Sequence, residues 1–262
     1  IDKDLVDKLN NGIMPFEEPY LPELFKEARE NFRASLELPK SDCFVISVPT
    51  PLDREMKMAD LKAVKDASVA ISKVLKSGDL VILESTSPPG TSENFVLPIF
   101  KKNGVDKLHY AHCPERAIPG KTLEEMVEND RIIGGIDKES TKRAIKLYRS
   151  FCKGNLYETD VTTAEFVKLI ENTYRDVNIA IANEFALVSE DIGVNVWEAI
   201  RLANKHPRVN ILNPGPGVGG HCIAIDPLFM VAKSSRTRLT TLAREINDFM
   251  AIHAIKLVKD VI

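Results

Sequence analysis

No run of apolar residues in the 262-residue chain approaches the roughly 20 that a helix needs to cross a bilayer, and the N-terminus lacks a basic stretch followed by an apolar one. A membrane span and a secretory signal are therefore not expected, and the expected location is the cytoplasm. Nor is there an excess of cations: 35 Lys and Arg stand against 38 Asp and Glu, interspersed rather than blocked. Nothing in that balance would grip a phosphate backbone, so nucleic acid is not an expected partner. The four cysteines, Cys43, Cys113, Cys152 and Cys222, show no C-x-x-C spacing, which argues against a disulfide framework or a zinc site. His109, His112 and His253 do not pair with cysteines at ligand spacing either, so no metal is expected. The chain also lacks an initiating Met. It opens on Ile1 and stops at Ile262 inside a helical pattern with no Gly or Pro stop, and a fragment is expected.

What is present is globular in character. A hydrophobic content of 44% suits a buried core, and the length allows one large domain or two ordinary ones. Lys3 to Leu9 and Glu23 to Asn31 read as helices on either side of a Pro-rich stretch. Cys43-Phe-Val-Ile-Ser-Val48 and Leu80-Val-Ile-Leu83 are apolar runs of the kind that strands buried on both faces give. Between them Asp60 to Leu75 has helical spacing and Gly78 as a stop. Leu108 to Ala111 and Arg131-Ile-Ile-Gly134 read as further strands, with helices from Ser92 and over Lys138 to Phe151. Strands alternating with helices predict parallel β-α-β units and a doubly wound sheet. Ligands of such sheets bind beyond the carboxyl ends of the strands. Pro49-Thr50-Pro51, Glu84 to Gly90 and His112-Cys113-Pro114-Glu115-Arg116 would share that edge. Proline that merely terminates a strand and a polar site are both open readings for any one of these exits.

From Thr162 the pattern changes. Thr162-x-x-Glu165 is a capping-box signature, and a helix is expected from there to Gly193. At about 1.5 Å per residue it would be roughly 48 Å long, too long for one small sheet domain, so it is expected to bridge two lobes. Its apolar residues cover more than one face, which predicts burial on several sides. Lys168, Asn172, Arg175 and Asp176 form one polar stripe along it, either a solvated face or a functional one. Asn195 to Asn204 reads as a short helix whose Trp197, the only tryptophan, is expected in the core. Lys205 to Asn210 then leads into Asn213-Pro-Gly-Pro-Gly-Val-Gly-Gly-His-Cys-Ile-Ala-Ile-Asp226. Four glycines ahead of one thiol describe a loop that presents Cys222, for which a structural cysteine is the rival reading. The other three cysteines read as inert buried thiols. After Asp226 the chain is helical again, with an apolar face fit for the long helix or for a second subunit.

Val48-Pro-Thr-Pro51, Glu84-Ser-Thr-Ser-Pro-Pro-Gly90, Cys113-Pro-Glu-Arg116, Lys168-Leu-Ile-Glu-Asn172, His206-Pro-Arg208 and Gly219-Gly-His-Cys222 with Asp226, taken together, resemble the UDP-glucose/GDP-mannose dehydrogenase family. The resemblance runs over nearly the whole chain. Its implications are an NAD-dependent, four-electron oxidation of a sugar-nucleotide C6 alcohol to a carboxylate, with NAD as cofactor and a UDP-sugar as substrate. It implies a thiohemiacetal and then a thioester on Cys222. It further implies Lys168 as proton donor and acceptor, Asn172 as holder of the same oxygen or a water, Asp226 as an aid to proton movement, and Glu115 as the residue that positions the hydrolytic water. Thr50 and Thr86 match cofactor-contacting positions. Arg116, Ala117, Lys168, Asn172, Arg175, His206, Arg208 and Gly219 match substrate-contacting ones, the His206–Arg208 loop being supplied by a partner subunit of a homodimer or higher homo-oligomer.

The departures from the family pattern carry information too. Arg116-Ala-Ile-Pro-Gly120 stands where members oxidising UDP-glucose have Phe-Leu-x-Glu-Gly, and His221 stands where they have Ser. Glu171 to Asn178 and His221 resemble members acting on UDP-N-acetyl-D-mannosamine, so a UDP-N-acetylhexosamine is expected before UDP-glucose. The family's G-x-G-x-x-G turn and the acidic residue for the ribose are absent. The expected layout is an α/β, Rossmann-like, doubly wound sheet domain over residues 1–160 without its first β-α-β portion. An all-helical central dimerisation domain over 161–262 is expected to carry the Cys222 loop, and the resemblance implies a nucleotide-sugar domain beyond Ile262. Two rivals remain: a two-electron dehydrogenase of the same plan, and a non-catalytic dimerisation fragment.

Overall fold

The computed structural model describes residues 2–261, and the chain divides into two compact units. Unit 1 comprises residues up to 50 together with 61–165; unit 2 comprises 51–60 together with the residues from 166 onward.

Unit 1 begins with helices α1 (Lys3–Asn10) and α2 (Leu21–Glu27) and strand β1 (Cys43–Ile46). The chain then leaves for a small antiparallel hairpin, β2 (Leu52–Asp53) and β3 (Met58–Ala59), which belongs to unit 2. It returns as α3 (Lys62–Ser72), β4 (Leu80–Leu83), one π-helical turn over Ser92–Val96, α4 (Leu97–Lys102) and β5 (His109–His112). There follow α5 (Thr122–Glu128), β6 (Arg131–Gly135), α6 (Lys138–Tyr148) and β7 (Leu156–Asp160). The five strands form one sheet in the order β1-β4-β5-β6-β7. Every residue of the Leu80-Val-Ile-Leu83 run is buried, because alternate side chains enter two different cores. Val81 and Leu83 join Phe44, Ile46, Val64, Phe100 and Tyr110 on the side covered by α3 and α4; Leu80 and Ile82 join Ala111, Cys113, Ile133 and Tyr148 beneath α6. The sheet is thus covered on both faces, as near-continuous apolar strands require.

One strand pair departs from the expected parallel arrangement. β1 with β4, β4 with β5 and β6 with β7 are parallel, but β5 and β6 are antiparallel, with His112 opposite Gly134. The segment between them re-enters the sheet at the edge where β5 left it. Contacts near its two ends tie it there: Arg131 to Glu115 at 2.8 Å, and Arg116 Nη1 to the Asp130 carbonyl at 2.8 Å. Gly134 has no side chain for a packing reason. A Cβ there would lie 2.4 Å from the Asp160 carbonyl oxygen and 2.6 Å from the Ala164 Cβ.

Helix α7 (Val161–Asp191) contributes its first turn to unit 1 and the rest to unit 2. The expected Thr162–Glu165 capping box does not form. Asp160 caps instead, accepting from the Thr163 amide at 2.8 Å and its hydroxyl at 2.5 Å. Glu165 is fully buried and accepts from the amides of Gly90 (2.6 Å) and Ser92 (2.7 Å), so tertiary partners have claimed the carboxylate that a local cap would use.

Unit 2 adds α8 (Val196–Ala203), α9 (Asp226–Lys233) and α10 (Arg238–Val261). With the β2–β3 hairpin it is not wholly helical, because the Pro49–Pro51 exit sends ten residues out of the sheet unit. Trp197 is not a core residue: it is 57% exposed on α8, whose one buried residue is Ile200. The expected burial of α7 is met by Leu169, Ala180, Ala182 and Ala186 but not all round, since Phe166, Ile170, Tyr174, Ile181 and Phe185 form an exposed apolar strip. Cys113 and Cys152 are buried as expected, and Cys43 only half so.

Candidate active site

In unit 1 the exits of β1 and β4 are joined by hydroxyls. Ser85 Oγ accepts from the Val48 amide at 2.8 Å and donates to the Val48 carbonyl at 2.7 Å. Thr50 Oγ1 donates to the Thr86 carbonyl at 2.8 Å, so Thr50 and Thr86 are brought together beyond the ends of neighbouring parallel strands. Their edge is where a doubly wound sheet receives ligands.

The third exit holds Glu115. Its Oε1 accepts from the amides of Arg116 (2.6 Å) and Ala117 (2.8 Å), and its Oε2 from Arg131 Nη2 (2.8 Å). Burial works to raise the Glu115 carboxyl, but the Ala117 amide, the Arg131 guanidinium and the Arg116 amide outweigh it and hold the group below its ordinary value. Arg131 is itself buried and lies over the rings of Tyr148 (4.8 Å) and Phe151 (5.5 Å). Tyr148 donates its hydroxyl to Glu84 at 2.6 Å, and burial keeps that carboxyl above its ordinary value. The fully buried His112 has neither ring nitrogen partnered among the described residues, and burial pushes it down to about 3, so it is neutral.

In unit 2 a second cluster forms where α7 meets α9. Cys222 is exposed, and its carbonyl accepts from the amides of Ile225 (3.0 Å) and Asp226 (2.8 Å). The thiol therefore stands one helical turn before Asp226, the first residue of α9. Asp226 is 4% exposed, and Asn172 Nδ2 donates to its Oδ2 at 2.5 Å. Burial pushes its carboxyl up to about 6, against the lowering effects of the Asn172 hydrogen bond and the Lys168 charge. Thr173 donates to Met230 Sδ at 3.4 Å between the two helices, and Phe229 of α9 is wholly buried. An exposed thiol one helical turn before a buried carboxyl that titrates near neutrality is an arrangement chemically suited to covalent catalysis with proton transfer.

The polar stripe on α7 divides between two environments. Lys168 and Asn172 face the Asp226 side and Arg175 is exposed, but Asp176 is fully buried against Arg244 Nη1 at 2.6 Å. His206, Arg208 and Gly219 are exposed. The His206–Arg208 segment is closed at its base by Asn204, which donates to the Ile211 carbonyl (2.9 Å) and accepts from its amide (2.7 Å).

Glu84 lies in a strand exit that the sequence marks, but Arg131, Tyr148, Asn183, Asn247 and Arg244 escape the sequence patterns as site residues. The available signal for Arg131 is a charge opening an apolar strand, and for Asn183 an amide inside the apolar Ile179-Ala-Ile-Ala-Asn run.

Models of the UDP-glucose/GDP-mannose dehydrogenase family match the chain twice: the NAD binding domain over residues 1–152 and the central domain over 162–249. The chain is 51% identical over 261 residues to a UDP-N-acetyl-D-mannosamine dehydrogenase of Methanococcus maripaludis, covering 98% of this chain and 60% of that protein. It is 48% identical to an NDP-N-acetyl-D-galactosaminuronic acid dehydrogenase of Ralstonia nicotianae, over 95% and 62% of the two chains. The solved structure of a UDP-D-ManNAc dehydrogenase from Pyrococcus horikoshii superimposes with a TM-score of 0.94 at 42% identity, over 99% of this chain and 64% of that one. The chain therefore spans about 60% of the length of the curated relatives it matches. On these matches and this fold, the chain belongs to the UDP-glucose/GDP-mannose dehydrogenase family.

Proposed function

We propose that the protein carrying this chain is an NAD-dependent nucleotide-sugar 6-dehydrogenase that oxidises the C6 alcohol of a UDP-N-acetylhexosamine, UDP-N-acetyl-D-mannosamine foremost, to the uronate. The observation that carries this reading is the exposed Cys222 thiol one helical turn before a buried Asp226 that Asn172 holds at 2.5 Å. The Thr50–Thr86 pair at adjacent strand exits has the donor chemistry and the place in the sheet to fit the cofactor. Bound NAD would supply the hydride-accepting chemistry for each of two oxidations at C6. Between them the Cys222 thiol adds to the aldehyde carbon to give a thiohemiacetal, and the second oxidation leaves a thioester that one water hydrolyses.

The chain's own groups divide the remaining work. Lys168 exchanges the proton of the C6 oxygen and its ammonium steadies the oxyanion. Asn172 holds Asp226, which moves protons near neutral pH, and Glu115, kept anionic by Arg131, orients the water. Arg116, Ala117, Arg175, His206, Arg208 and Gly219 contact the sugar nucleotide, the exposed guanidinium groups of Arg175 and Arg208 matching a diphosphate. Association of the central helices into a homodimer or higher homo-oligomer is supported by the exposed Phe166, Ile170, Tyr174, Ile181 and Phe185. In it the His206–Arg208 loop serves the partner's site.

The test is NADH release by the whole protein against UDP-N-acetylmannosamine, UDP-N-acetylglucosamine, UDP-N-acetylgalactosamine and UDP-glucose. Two NADH per UDP-N-acetylmannosamine, and loss of at least about a thousandfold in turnover with Cys222→Ser, are expected. One NADH per sugar, or full turnover by Cys222→Ser, would sink the mechanism.

A further inference from the structure

We propose that Asn183 and Asn247 are positioning residues for the Cys222 loop, oriented by the buried Asp176–Arg244 pair. The proposal rests on the reading of Cys222 as nucleophile. Asn183 sits in the apolar middle of α7 and Asn247 on α10, with exposures of 0% and 1%. A buried amide is costly unless its polar atoms are paired. Here the pairing forms a directed chain. The Gly215 amide, at the start of the loop, donates to Asn183 Oδ1 at 2.9 Å. Asn183 Nδ2 donates to Asn247 Oδ1 at 2.8 Å. Asn247 Nδ2 donates in turn to Asp176, at 2.8 Å to Oδ1 and 3.0 Å to its carbonyl. Arg244 neutralises Asp176 and also reaches Asp248.

Only one orientation of each amide satisfies the chain. Turning Asn247 over would set its oxygen against the Asp176 carboxylate, and turning Asn183 over would set its NH2 against the Gly215 N–H. The Asp176 charge thus selects the Asn247 orientation, that selects Asn183, and Asn183 offers an acceptor at the one point where the loop needs it. A second fixing lies two residues on: Gly217 has φ +121, and a Cβ there would come within 2.9 Å of the Asn247 carbonyl oxygen. At its far end the loop is held by the Cys222 carbonyl, which accepts from Ile225 and Asp226. A network needed only for stability has no reason to end on a loop amide, since apolar side chains of similar volume do as well or better in such a core. This one ends on the backbone that carries the thiol.

The experiment uses Asn183→Leu in the whole protein, with hydrogen exchange read by mass spectrometry alongside steady-state kinetics. The expected result is exchange over residues 213–218 faster by about tenfold or more while α7 and α10 stay protected. With it kcat falls about tenfold to a hundredfold, and KM for the sugar nucleotide holds within about twofold. Should Asn183→Leu fail to fold, Gly217→Ala breaks the second fixing from the loop side and is read in the same way. A folded variant with unchanged exchange overturns the proposal, as does one with fast exchange and unchanged kcat while Cys222→Ser is inactive. An active Cys222→Ser is a separate failure: it removes the thiol from the reaction and the catalytic half of the proposal with it, and the exchange data still report whether the loop is held.

Discussion

Glu115 in unit 1 and Asp226 in unit 2 are carboxyls partly and almost wholly withdrawn from water, and their surroundings shift them in opposite directions. Glu115 takes two backbone amides and a buried guanidinium, which overcome the effect of burial and keep it ionised. Asp226 has one amide donor and a nearby ammonium, too little to offset its burial, and it rises to about 6. The difference lies in the number and charge of the donors, not in depth alone. One carboxyl is a fixed charge able to orient a water, and the other changes protonation in the pH range where an enzyme works.

Replacing the titrating member is expected to have the largest effect. Asp226→Asn should lower kcat by about a hundredfold to ten-thousandfold while stabilising the fold at pH 7. The sign follows from linkage. The folded carboxyl titrates at about 6 against an ordinary 3.8, so its contribution to stability is complete below the ordinary value and is lost as pH rises through about 6. Asn removes that loss, and urea unfolding at pH 7 should show a gain of about 1–3 kcal/mol that vanishes near pH 3.5. A variant that is active, or that is no more stable at pH 7, would end the distinction between the two carboxyls.

The fixed charge is tested from its cation. Arg131→Met leaves Glu115 half-buried without its guanidinium and should cost about 3 kcal/mol or more in denaturant unfolding. It should also move Glu115 upward, so that its titration, followed by NMR, approaches the ordinary carboxyl range. A smaller shift is expected from Asn172→Ala, which removes a hydrogen bond that lowers Asp226. Residual activity should then fall away on the acid side at a pH above 6 in a kcat/KM profile; an unchanged acid limb would separate Asp226 from that profile. Tyr148→Phe should have the least effect. It deletes the 2.6 Å hydrogen bond to Glu84 but keeps the ring under Arg131, and a cost of about 1 kcal/mol with an unaltered Glu115 titration is expected.

Much of this site could be read in the linear chain, but unevenly. The Thr50 and Thr86 exits follow apolar runs whose length and composition mark buried strands, and the Cys222 loop announces itself by four glycines and a thiol. Strand β7 leaves no apolar pattern to read, because Leu156-Tyr-Glu-Thr-Asp160 is polar and largely exposed at the sheet edge. Arg131 to Gly134 reads as a strand and is one, but its antiparallel direction is not legible, because alternation of strands and helices does not say from which edge the chain re-enters. Trp197 is exposed although tryptophan as a residue type points inward, because residue type stands in for burial only on average. Thr162 and Glu165 matched a local capping pattern, and yet Glu165 bonds to amides 73 and 75 residues away.

What the sequence by itself determined is local: which segments are strands or helices, which faces are apolar, where the chain turns, and that a thiol stands at the end of a glycine-rich loop. Backbone propensity, side-chain period and turn chemistry act over a few residues, and those residues are adjacent in the chain. Tertiary structure decided the partners: Asn172 with Asp226 across 54 positions, Asp176 with Arg244 across 68, and Glu115 with an Arg131 delivered by a reversed strand. A carboxyl's charge state depends on how many donors reach it and how much water is excluded. Both are properties of packing, and packing brings together residues that no window along the chain contains.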